Sequence, residues 1–183
     1  MVSRKAFVVL LVLVLFAFGN LAAQWEASLD SLLQEIAECQ PPVANTDPCS
    51  FITSRAIKAV YGISDFEITG QSNWFMSASG IINFVSESAD WTDLGNANNQ
   101  EALSKAQEAA NAGKATLAIL MEKPQGHVVV ILPGKLTPSG KWGVSVPNSA
   151  SFFLNVPKLS YVGKPLSYAF KESANVEIFS RNK

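Results

Sequence analysis

The chain has 183 residues, with 14 Lys and Arg against 15 Asp and Glu, one His and two Cys, and a formal charge of −1. A balance this close to neutral excludes a nucleic-acid partner held by a basic face. One His and two Cys leave too few soft ligands for a metal centre, so no metal or other cofactor is expected.

The first 23 residues read as a cleavable export signal. Arg4 and Lys5 precede an apolar run from Ala6 to Phe18, and small residues follow at Gly19, Ala22 and Ala23. The run is shorter than the ~20 residues a membrane-spanning helix needs. Loss of Arg4 and Lys5 leaves 12 basic against 15 acidic residues. The expected mature protein is therefore a mildly acidic exported domain, periplasmic or secreted, with no attraction to anionic lipid. No linker divides residues 24–183, which predicts one domain.

Leu29, Leu32, Leu33 and Ile36 recur at helical spacing and predict a helix over 25–39. A loop with Pro41 and Pro42 follows. Asp47 suits an N-cap and Pro48 a first helical position, so a second helix is expected from there to Gly62. Cys49 falls in its first turn, with Ile52, Ala56 and Val60 on the same apolar face. Residues 64–95 predict only a short helix near 81–86. A clearer helix spans 99–112. Strands are then expected at 115–121, 127–132, 142–147, 151–156, 165–170 and 176–180. Helices followed by an antiparallel meander define an α+β chain.

Two readings of the cysteines exclude each other. In an oxidising compartment Cys39 and Cys49 pair as a disulfide around a short proline-containing loop. Alternatively Cys49 is a nucleophile. A helix N-terminus and a nearby imidazolium both lower a thiol pKa from about 8.5. First-turn amides, here those of Cys49 and Ser50, can hold the oxyanion that a thiolate attack creates. The base is then His127, at the start of a strand. A symmetric hairpin about residues 133–142 places Asn148 opposite His127 as the orienting group. A one-residue slip brings Ser149 or Ser151 there instead. Trp74 and Trp91 are candidates to line a substrate groove, or to pack in the core.

These segments resemble papain-like cell-wall amidases and peptidases, the CHAP group among them. DPCSFITSRAIKAVYGI is similar to their nucleophile helix and GHVVVILPG to their histidine strand. Trp91, Leu94, Gly95 and the stretch NQEALSKAQEAANAGKATLAIL fit between them. WGVSVPNSASFF is similar to the strand carrying the third residue. The likeness runs from Ile36 to Arg181. It departs at Gly113–Lys114, where many relatives have a Gly-Asp step. It implies a papain-like fold, hydrolysis of an amide in peptidoglycan stem peptides, and Cys49, His127 and Asn148 as nucleophile, base and orienting residue. The competing expectation is an exported domain of the same fold that binds wall fragments or a protein without catalysis. Acyl transfer to an amine is a third outcome of the same thiol chemistry.

Overall fold

The computed structural model describes residues 25–44, 47–71, 74–121 and 126–183. The export signal over 1–23 lies outside them, as do Pro124 and Gln125 of the turn expected before β3.

Helix α1 covers residues 25–38 and buries Leu29, Leu32 and Ile36, as its spacing requires. A 3-10 turn, Pro48–Phe51, runs directly into α2, Ile52–Tyr61. Asp47 caps this run, its carboxylate accepting the Cys49 amide at 2.8 Å. Gly62 ends α2 at φ 68°, a left-handed cap that glycine adopts without steric cost. Helix α3, Ala78–Glu87, is longer than its sequence pattern suggests. Helix α4, Gln100–Asn111, starts on an Asn99 cap.

Among the described residues eight strands form a six-stranded sheet and a separate two-stranded ribbon, an α+β arrangement. The strands are β1 (Trp91–Asn96), β2 (Thr116–Leu120), β3 (His127–Ile131), β4 (Thr137–Ser139), β5 (Val144–Val146), β6 (Asn148–Ser151), β7 (Tyr161–Pro165) and β8 (Val176–Arg181). The large sheet is antiparallel throughout, in the order β1-β8-β2-β3-β6-β7. Its last strand is therefore inserted between the first two, so the topology is not the simple meander expected. Strand β1 has little strand-like character in sequence. It forms by pairing with β8, with a register shift between Asp93 and Gly95 that Gly95 accommodates at φ 105°.

Alternation along the strands gives the sheet two buried faces. Leu117, Ile119, Val128, Val130 and Phe179 pack under α1, α2 and α3. Ala118, Val129, Ile131, Val176 and Ile178 pack under α4 and the residues near Phe170.

The expected hairpin register is not the observed one. Residues 144–146 pair with 137–139 and not with β3. Strand β3 pairs instead with β6, Val129 opposite Ser151 and Ile131 opposite Ser149. Pro147 supplies no amide, and the next residue opens the new ladder. Helix α4 fixes the position. Gln107 donates to the Leu132 carbonyl at 2.9 Å and accepts the Asn148 amide at 3.1 Å. Asn111 brackets Gly134 with bonds of 3.1 and 2.8 Å. Gly134 has φ 156°, and a Cβ there would stand 3.1 Å from the Asn148 Cβ, so this approach requires glycine. Strands expected at 151–156 and 165–170 shift with it, to 148–151 and 161–165. Residues 166–168 become a 3-10 turn.

Trp91 is core and not groove. It is 6% exposed, packs on Phe66 and donates its indole N–H to Asp65 at 3.1 Å. The same carboxylate oxygen accepts from Arg181 at 2.8 Å, which clamps the β1–β8 edge to the segment after α2. Asp65→Ala strands both donors, so it should destabilise the protein by about 1–3 kcal/mol. Thermal melts should show a fall of about 2–4 °C per kcal/mol, with no change in any activity the cavity supports.

Candidate functional site

The site is a cavity of about 330 Å³ at the end of the sheet where β3 begins and β6 ends. Ser50 enters it from the 3-10 turn, Thr53 from the start of α2, and Ser77 and Ser79 from the start of α3. His127, Phe153 and Phe170 enter from the sheet and the C-terminal loops. Hydroxyls and aromatic rings thus share its walls. Lys171 is the charged side chain among the described residues that line it.

His127 is held on three sides. Its Nε2 lies 2.8 Å from the Ser151 hydroxyl. Its ring stacks on Phe153 at 4.7 Å between centroids, 13° from parallel. The Phe170 ring meets it edge-on at 5.6 Å. The β3–β6 register explains the first two of these contacts. With Val129 opposite Ser151, His127 falls opposite Phe153, and Ser151 is its diagonal neighbour on the same face. Burial pushes the imidazole pKa down from 6.5 to about 4, so the ring is neutral at physiological pH. In the tautomer with Nε2–H, the ring donates to Ser151 and leaves Nδ1 free to accept.

Asn148 is not the orienting residue. Its amide side chain donates to the Pro133 carbonyl at 3.2 Å, and its backbone carbonyl accepts from Leu132. It thus lies at the far end of β3 from His127. The odd shift in register that displaced it delivers Ser151, one of the two substitutes the sequence allowed. Trp74 is 39% exposed and touches Phe51, but it does not line the cavity.

Cys49 and Cys39 form a disulfide, with their Cα atoms 6.2 Å apart. Among the described residues no free cysteine remains. Cys39 belongs to the core beneath α1, and Cys49 packs partly buried against that same core. Alternation places His127 on the other face, with Val129 and Ile131. His127 lines the cavity and Cys49 does not; Ser50 is the residue of the Cys49 turn that reaches it. The expected oxyanion donors are also engaged. The Cys49 amide donates to the Asp47 carboxylate at 2.8 Å, and the Ser50 amide to the Asp47 carbonyl at 2.9 Å. An N-cap satisfies first-turn amides, and Asp47 does so here.

No family model matches the chain, and no curated protein matches it in sequence. Among the described residues no cluster of His, Cys, Asp and Glu could hold a metal ion. No described helix is long and apolar enough to cross a membrane.

Two stability measurements follow from this geometry. Between pH 6.5 and about 4 the unfolded chain binds a proton at His127 that the folded chain refuses. That group's contribution therefore falls on acidification through this window, by up to about 1.4 kcal/mol per pH unit, and is constant above it. In urea unfolding at about pH 7 and about pH 4.5, His127→Gln should lose less stability than the parent. Opening the Cys39–Cys49 bridge removes a constraint on a short loop, and the thermal midpoint should fall by an amount matching about 2–3 kcal/mol.

Proposed function

We propose that this chain is an exported, papain-like cysteine amidase or peptidase of peptidoglycan stem peptides, held in the structure in a resting, disulfide-closed form. The observation that carries the reading is the shared cavity. Ser50, the residue after Cys49 in the capped turn, and the Ser151-held imidazole of His127 line the same space. The resemblance of both segments to the nucleophile helix and histidine strand of wall hydrolases supports it. So does the apolar N-terminal run, since the wall lies outside the cytoplasm.

In the dithiol form the chemistry divides among this chain's residues as follows. The imidazole is neutral, so it acts as a general base and takes the thiol proton at Nδ1 as the sulfur attacks. Ser151 accepts from Nε2–H and fixes the tautomer. The Cys49 amide reaches the developing oxyanion when the Asp47 carboxylate turns away from it. The imidazolium then gives its proton to the leaving amine, and water releases the acyl group.

The disulfide itself favours a second reading, in which the bridge is structural and the cavity binds wall fragments without cleaving them. Purified peptidoglycan incubated with reduced protein, followed by mass analysis of released fragments, separates the two. The hydrolase releases stem-peptide fragments. Cys49→Ala and His127→Ala abolish release, and Ser151→Ala lowers it about tenfold or more while the fold persists. Asn148→Ala leaves turnover near the parent level. Retention of fragments with no release by the folded, reduced parent supports the binding reading instead. N-terminal sequencing of the exported protein should begin between Asn20 and Trp25.

A further inference from the structure

We infer that the Cys39–Cys49 disulfide is a reversible mask on the nucleophile, that Cys39 is its resolving residue, and that a dithiol reductant opens it. This rests on the hydrolase reading above and adds the regulation of its site.

The two sulfurs differ in access. Cys39 is 6% exposed, closes α1 and lies within the core. Cys49 is only partly buried, and the residue after it lines the cavity. An incoming thiolate therefore meets Cys49 first. It attacks the Cys49 sulfur, the S–S bond breaks, and the electron pair leaves on Cys39, which takes a proton. The Glu35 carbonyl lies 3.5 Å from the Cys39 sulfur, so the freed thiol has an acceptor on its own helix.

The product is a mixed disulfide on Cys49, still masked. Two thiols compete to resolve it. Cys39 is tethered within one short loop, and its return re-forms the original bridge and expels the incoming thiol. A second thiol carried on the reductant instead attacks the reductant's own sulfur and releases Cys49 as thiolate. The net reaction converts one dithiol to a disulfide and the bridge to two cysteines, with both electrons supplied by the reductant. A monothiol has no second arm, so re-closure by Cys39 defeats it. This asymmetry follows from which sulfur is buried.

The test reads thiol content and wall cleavage separately on the folded, full-length mature protein. Unreduced parent should show no reactive thiol and release no fragments. Dithiothreitol should expose two thiols and start release. Glutathione at equal total thiol should give at least tenfold less release. Cys39→Ala should release fragments without reductant, and oxidised glutathione should cap it at Cys49 as a lasting mixed disulfide. Should that variant fold poorly, Cys39→Ser removes the same sulfur and gives the same comparison. Two free thiols and full release in the unreduced parent overturn the mask and leave the hydrolase standing. Equal activation by both reductants overturns the resolving role of Cys39. Folded protein with alkylatable Cys49 but no release, in reduced parent and Cys39→Ala alike, overturns the hydrolase reading and the mask together.

Discussion

The ladder between β3 and β6 is the constraint on which the site depends. It carries three registered pairs, and they decide which side chain stands beside the single imidazole. Its position is not set by the strands alone, because residues 148–151 are an Asn-Ser-Ala-Ser run with little side-chain preference. Pro147 interrupts the chain just before it. Gln107 of α4 then binds the end of one strand and the start of the other, and Asn111 holds the turn at Gly134. Two amides on one helix thus choose the register. Ser151 at Nε2, Phe153 against the ring face and Asn148 remote from both are its consequences.

The same register explains the state of the imidazole. A ring stacked on Phe153, edged by Phe170 and given a neutral hydroxyl has no anion to stabilise its charged form. Burial alone acts on it, and burial favours neutrality. In the proposed mechanism a neutral base that takes a thiol proton therefore stands in place of a preformed thiolate–imidazolium pair. That is consistent with a sulfur that carries no proton in this form, being bonded to Cys39.

Much of the framework was legible because it is written in local chemistry. The Gly62 stop and the Asn99 cap placed the end of α2 and the start of α4 to within a residue or two, while the Asp47–Pro48 start opens a 3-10 turn that runs into α2 at Ile52. Leu29, Leu32 and Ile36 announced α1, and the β-branched run from His127 announced β3. What stayed hidden was non-local. Strand β1 exists only because β8 pairs with it across the sheet. The ribbon of β4 and β5 diverts residues 144–146 from the partner that symmetry suggested. Trp91 looked available as a groove wall, but Asp65, far away in sequence, accepts its indole N–H. The buried polar Gln107, on an otherwise Ala-rich helix face, was the one sequence signal that could have exposed the register.

Asp47 sets a conflict at the turn that carries Cys49. Its carboxylate satisfies the Cys49 amide, and a cap of this kind stabilises a helix start by about 1 kcal/mol. A negative charge at a helix N-terminus also complements the macrodipole. Both effects favour the folded chain while Cys49 is a disulfide, because a disulfide sulfur carries no charge to repel. In the proposed hydrolase, a Cys49 thiolate meets the same carboxylate as a like charge two residues away, and that carboxylate competes for the amide an oxyanion needs. The cap and the disulfide are thus compatible, whereas the cap and the thiolate oppose each other. Local helix chemistry therefore stabilises the disulfide form, and under the proposed mechanism a substrate oxyanion must displace the Asp47 carboxylate before it can use that amide.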